Sequence, residues 1–344
     1  MPSLQHDRAG LELNINGLRE VFVPYERVTR IQDDIAKLHR RDNGGSEGGV
    51  LTLLGDTRSG KTKILRDYKA RYPTVVNGRV NAEGDPADLM EVVLLRMPDT
   101  TTKNFLERLF SILANLTIKQ VAGQGNRRFD IQDNIVALAK TVGLRLILIE
   151  ETHQGIDRKK TDAAKLLAGV LKDLTNEARF SMVISGTFEA QRLLDASPEL
   201  SGRILFDHEL QPLDWNVTAE RMMFLDVLRE LDEHLKEFVF GRLSNLTGEA
   251  IAKPLLAASL GQIGHAATLL EVAAMNAVDE VLARQCPKMT LEHIAGAFSG
   301  SRLRRQNPKL FTHGQGGGGE PADNPVTRLR GRTRQSHKDV AFKG

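Results

Sequence analysis

The segment Gly55-Asp56-Thr57-Arg58-Ser59-Gly60-Lys61-Thr62 carries the residue types that hold a polyphosphate. It fits the spacing G-x-x-x-x-G-K-[ST], follows the apolar run VLTLL directly and opens an amphipathic helical pattern near Lys63. Such a loop works because glycine lets the backbone curl until successive N–H groups point at phosphate oxygens. The expected cradle is Gly55, Asp56, Thr57, Arg58, Ser59, Gly60, Lys61, Thr62 and Lys63. In it Lys61 places a cation on the β and γ phosphates, and the Thr62 hydroxyl is a ligand for Mg2+.

About ninety residues later, Leu146-Ile147-Leu148-Ile149 ends in the adjacent carboxylates Glu150 and Glu151. Two acids at the end of a buried strand are costly unless a cation lies nearby, so the pair predicts a metal site. By analogy with the Walker B arrangement, Glu150 would hold the metal through water and Glu151 would orient and deprotonate the attacking water. The usual first acid of that arrangement is Asp; Glu150 is one methylene longer, a departure that bears on metal geometry and hence on the hydrolysis rate. Two more polar positions follow. Thr187, in Ser185-Gly186-Thr187, stands where a hydroxyl would meet the γ-phosphate or the attacking water; an ordinary turn threonine is the alternative. Arg203, in Ser201-Gly202-Arg203, precedes the last strand and is placed to reach a neighbouring subunit's γ-phosphate, where a planar guanidinium stabilises developing charge. A solvated surface arginine is its alternative.

These groups need a scaffold, and the apolar spacing supplies one. Strand-like runs occur at 50–54, 91–96, 144–150, 180–185 and 204–210, and the central ones lack polar alternation, as strands buried on both faces do. Helical patterns at 105–116, 131–141 and 163–176 lie between them, which predicts an α/β sandwich with a parallel sheet. After Pro212 only helical periodicity remains, as at 219–237, 248–259, 263–282 and 290–298. The expected division is an N-terminal segment 1–45, a nucleotide-binding α/β domain 46–213, a small all-helical domain 214–300 and a basic, disordered tail 301–344.

Composition narrows the class. The 344 residues include 47 Lys plus Arg against 44 Asp plus Glu, a net charge of +3, which excludes a uniformly basic nucleic-acid coat. That total is uneven: residues 301–344 hold ten basic and three acidic side chains, a net +7, so the first 300 carry −4. One cysteine, Cys286, excludes a disulfide framework and a four-cysteine zinc module. No apolar run is long enough to span a membrane, and Asp7, Arg8 and Glu12 interrupt any leader-like stretch, so a cytoplasmic protein without a membrane partner is expected.

Taken in order, GDTRSGKT, LILIEE, ISGT and SGRILF followed by helices resemble the AAA+ ATPases. The stretch LKDLTNEARFSMVISGTFEAQRLL is most similar to the TniB/TnsC family of transposition regulators. The resemblance covers residues 20–295 and implies an AAA+ three-layer sandwich followed by a helical lid. It further implies an ATPase that uses ATP and Mg2+, forms a homo-oligomeric ring or helical filament on double-stranded DNA, and recruits a transposase to a target chosen by a selector protein. Lys61, Thr62, Glu150, Glu151 and Thr187 would then act within one protomer and Arg203 across the interface. The region after EVVLLRMP, with Thr101, Thr102 and Lys103, corresponds to a DNA-backbone contact in similar proteins; Arg127 and Arg128 are weaker candidates. Hydroxyl and cationic groups suit phosphate contacts, which position a protein without reading sequence. Many AAA+ lids carry an arginine where this chain has His265 in Gly261-Gln262-Ile263-Gly264-His265, so weak lid coupling and slow hydrolysis are expected. A regulatory nucleotide switch or a replication-loader ATPase outside transposition is the competing expectation.

Overall fold

A computed structural model of the chain describes residues 7–41, 47–82, 84–98, 102–115, 128–155, 161–283 and 288–311. The strands are β1 (Val50–Gly55), β2 (Val75–Val80), β3 (Pro86–Leu89), β4 (Val92–Arg96), β5 (Leu146–Glu150), β6 (Ser181–Gly186) and β7 (Ile204–Leu210). Five of them form one sheet in the order β4-β5-β6-β1-β7, with every neighbouring pair parallel. The helices are α1 (Arg8–Asn16), α2 (Glu26–Arg40), α3 (Lys61–Ala70), α4 (Thr102–Leu113), α5 (Arg128–Val142), α6 (Thr161–Glu177), α7 (Gln191–Asp195) and α8 (Pro198–Ser201), then α9 (Thr218–Leu235), α10 (Glu249–Ala258), α11 (Ile263–Asn276), α12 (Val278–Leu282) and α13 (Leu291–Ser299). The chain divides into two compact units, one of residues 27–57 and 61–210, the other of 1–26, 58–60 and the chain from 211 onward.

In the α/β unit, burial follows each strand's place in the sheet. Every residue of β1, β5 and β6 is buried, which is why these sequences read as nearly continuous apolar runs. The edge strand β7 alternates partly buried and exposed residues along ILFDHEL, so Asp207 and Glu209 reach solvent between its inward side chains. On one face Phe105, Leu109, Leu167, Leu171 and Leu174 of α4 and α6 close over Ile147, Ile149 and Met182. Each such aliphatic side chain contributes roughly 1.5–3 kcal/mol by leaving water.

Outside that sheet, β2 and β3 pair antiparallel as a hairpin between α3 and β4. Its pattern was not apparent in the sequence, because Val75, Val76 and Val80 are exposed and no polar alternation marks a buried face. Local bonds hold it: the Asp88 carboxylate accepts from the Asn77 amide at 3.0 Å, and the Asn81 side chain accepts from the Asp85 amide at 2.7 Å. Residues 21–25 form no strand and lead straight into α2.

The helical unit contains α1, capped by Asp7, whose carboxylate accepts from the Gly10 amide at 2.8 Å. Buried carboxylates do much of the fastening. Glu271 on α11, 4% exposed, receives the Arg19 guanidinium through both oxygens, at 2.8 and 2.7 Å. Asp232 on α9 accepts from the Ser244 and Leu246 amides at 2.8 and 2.9 Å, tying down the chain that follows. The last turn of that segment, Lys236–Phe240, widens into a π-helix and stops at Gly241, whose φ of 73° suits glycine. Among the described residues no single helix is long and apolar enough to cross a membrane.

Candidate phosphate and catalytic site

Parallel topology brings the polar ends of β1, β4, β5 and β6 to one edge of the sheet, where open α/β sheets bind ligands. The loop leaving β1 enters α3 at Lys61. Within it Arg58 and Gly60 have φ of 67° and 101°, the left-handed backbone that curls the loop; glycine takes this freely and Arg58 at a cost. Lys61 Nζ donates to the Gly55 and Asp56 carbonyls, at 2.7 Å each. Burial lowers its pKa to about 8, against the pull of Glu151 and Asp56. A cation held this way is pre-positioned and poorly solvated, and a polyphosphate on the loop would restore its lost stabilisation.

The two acids take different environments. Glu150 is buried, and desolvation raises its carboxyl above the ordinary range, opposed by Arg66, by a hydrogen bond from the Thr62 side chain and by Arg96, with Glu151 adding to the rise. Its Oε1 has no hydrogen-bond partner and lies 3.9 Å from Arg66 Nε. Thr62 and an orphaned carboxylate oxygen therefore adjoin, as a hard cation requires. No group of three or more His, Cys, Asp or Glu among the described residues could cage a metal. The Thr62 hydroxyl and that carboxylate oxygen suit Mg2+, which takes one or two protein oxygens and completes its shell with water and phosphate.

Glu151 begins the turn after β5 with φ 55°, a strained value for a glutamate. The 3-10 turn Thr152–Gly155 then reaches both neighbouring strands. Thr152, fully buried, donates to the Ser185 carbonyl at 3.0 Å, while the Gln154 amide donates to the Met97 carbonyl at 3.1 Å and accepts from Arg96 at 2.8 Å. At the end of β6, Thr187 Oγ1 is buried without a partner. It is thus a spare hydrogen-bonding group beside the acids.

Arg203 is placed differently from a side chain reaching outward. Its Nη1 donates to the Lys172 carbonyl at 3.0 Å and to Thr175 Oγ1, and its Nη2 donates to Asn176 Oδ1 at 2.5 Å. Glu47 pairs with it at 3.1 Å, and only 9% of the side chain is exposed. Of the DNA candidates, Lys103 is exposed in the first turn of α4 and pairs with Glu107 at 3.5 Å, whereas Thr102 is buried. Thr101 and Arg127, and the side chain of Arg128, lie outside the described residues, as do Cys286 and the basic run from Arg328. His265, at the place of the lid arginine, faces the Ser259 carbonyl at 3.3 Å; burial pushes its imidazole below the ordinary range.

Arg66, Arg96 and His153 escaped the sequence reading. Arg66 sits on α3 one turn beyond Thr62, and Arg96 pairs in register with Glu150. His153 lies two residues past Glu151, a signal too short to separate from an ordinary turn histidine.

A family model described as "Bacterial TniB protein" matches residues 16–213. No curated protein matches the chain. The solved structure of Cdc6p from Pyrobaculum aerophilum is similar at a TM-score of 0.51 and 15% identity, covering 84% of this chain and 68% of that one. The ORC2 protein of Aeropyrum pernix in its ADP form is similar at a TM-score of 0.48 and 14% identity, covering 85% of this chain and 73% of that one.

Proposed function

The chain belongs to the TniB family, and from that premise we propose that it is an ATP-hydrolysing AAA+ protein that assembles on double-stranded DNA and brings a transposase to a selected target. The observation that carries the ATPase part is the junction of Lys61, the Thr62–Glu150 bond, the unpartnered Glu150 oxygen and Glu151 at one sheet edge. Lys61 would bind the β and γ phosphates once it exchanges the loop carbonyls for them. Thr62 and Glu150 would hold Mg2+, which when bound neutralises phosphate charge. Glu151 accepts the proton of the attacking water as its oxygen bonds to the γ-phosphorus and the bond to the bridging oxygen breaks, releasing ADP and phosphate. The Thr187 hydroxyl orients that water or the γ-phosphate. Arg203 acts across the protomer interface after exchanging its bonds to residues 172–176, a step that makes hydrolysis slow until protomers assemble. Lys103 contacts the DNA backbone.

Electron microscopy with duplex DNA and a non-hydrolysable ATP analogue tests this reading. DNA-dependent rings or filaments are expected. Assembly that needs the analogue but ignores duplex would replace it by a nucleotide switch acting without DNA, and the absence of any assembly would overturn it.

Nucleotide affinity should also depend on pH through Lys61. Phosphate pairs with the protonated amine, so its bound-state pKa lies above the free value of about 8. Affinity is therefore complete below that value and falls by about tenfold per unit as pH rises beyond it. Titration of a fluorescent ATP analogue between neutral and mildly alkaline pH, over which the phosphates stay ionised, reads this directly; a flat profile would show that Lys61 does not meet the phosphates.

A further inference from the structure

The turn after β5 contains a bridge that the scheme above does not use. His153 Nδ1 lies 3.3 Å from the Thr187 backbone nitrogen, and its Nε2 lies 3.5 Å from Glu151 Oε2. The Thr187 N–H can only donate, so Nδ1 is the acceptor. In a neutral ring the proton is then on Nε2, the nitrogen that lies against the Glu151 carboxylate. The ring so bridges the end of β6, through a hydrogen bond, and the proposed base, through a polar contact of 3.5 Å.

The surroundings hold this ring in place. Thr152 pins the turn to the Ser185 carbonyl, and Gln154 pins it to Arg96 and Met97. A Cβ on Gly186 would come within 3.3 Å of Nδ1, 3.4 Å of the His153 nitrogen and 3.0 Å of Ala190 Cβ, so glycine leaves the room the imidazole occupies. Glu151 itself has a φ of 55°, which directs its side chain from a strained backbone that an outside contact must steady.

We infer that His153 is a positioning residue that orients the Glu151 carboxylate for proton abstraction and couples that orientation to the Thr187 end of β6. Thr187 Oγ1 is unpartnered at the same strand end, so a γ-phosphate engaging Thr187 would be felt at Glu151 through one imidazole. The inference rests on Glu151 being the base.

Steady-state ATP hydrolysis by the full chain with duplex DNA and Mg2+ tests it. His153→Ala should lower kcat by about 10- to 100-fold, the effect of misplacing a reacting group by an ångström, and leave KM within about twofold. Two conservative variants separate orientation from packing. Gln reaches the Nε2 position and can still donate to Glu151, so His153→Gln should recover most of kcat. Asn keeps an acceptor near the Nδ1 position but stops short of Glu151, so His153→Asn should remain as low as the alanine variant. Should the alanine variant fail to fold, the Gln-to-Asn ratio decides alone. Native kcat in His153→Ala, or an Asn variant better than the Gln variant, overturns the inference. Glu151→Gln is measured alongside: if it hydrolyses normally the base assignment fails and takes His153 with it, whereas a dead Glu151→Gln with an active His153→Ala sinks the positioning role alone.

Discussion

Glu151→Gln is expected to bind ATP as tightly as the native chain and to lose about 10²- to 10⁴-fold in turnover, the usual contribution of a positioned general base. The substitution preserves side-chain shape and removes only the capacity to accept a proton. Binding should be unchanged or slightly tighter, because Glu151 is a negative charge close enough to Lys61 to raise its pKa and would also repel phosphate. Single-turnover hydrolysis measured beside equilibrium binding separates the two effects. Loss of binding in parallel with turnover would make Glu151 part of the phosphate or metal site instead of the base.

Lys61→Ala should do the reverse, abolishing nucleotide binding at the first step. A buried cation that meets phosphate through hydrogen bonds typically costs about 2–5 kcal/mol when truncated, so ATP affinity should fall by about 30- to 5,000-fold. Thermal stability should not fall with it. Burial depresses Lys61 to about 8, so the ligand-free fold carries a penalty for this charge at neutral pH, and that penalty vanishes with the amine. A lysine with a lowered folded-state pKa destabilises the fold fully below that pKa, and the penalty fades as pH rises from about 8 to the unfolded value near 10.5. Calorimetry of ATP binding together with thermal melting checks both parts. A variant that binds normally, or one that melts well below the native chain, would show that the amine serves the loop and not the ligand.

Much of the scaffold could be read before any tertiary contact was known. The strands at β1, β5 and β6 announce themselves because both faces of an inner parallel strand are buried and most positions are apolar. The phosphate loop is equally plain, since backbone curvature and a phosphate cation demand glycine and lysine at fixed spacing. By contrast the β2–β3 hairpin left no mark: its valines face solvent, and side-chain bonds from Asn81 and Asp88 hold it. Likewise α1 is short and is held by contacts to distant residues, as when its Asn14 side chain donates to the Phe238 carbonyl at 3.0 Å.

At the site, residue identity and residue employment part company. Lys61, Thr62, Glu150 and Glu151 could be named from spacing alone, because local backbone geometry sets where each points. Arg203 could be named as well, yet its engagement by Lys172, Thr175, Asn176 and Glu47 depends on α6 ending beside the start of β7. His153 could not be named, for its role arises only when β5 and β6 lie side by side and a glycine at 186 opens the space. The one-dimensional pattern thus determined which strands are buried, where the glycine-rich loop and its lysine lie and that the charge divides into an acidic body and a basic end. Which polar groups are satisfied, and which remain spare for a ligand, was decided only by the tertiary structure, because hydrogen-bond partners far apart in sequence meet only once the sheet is assembled.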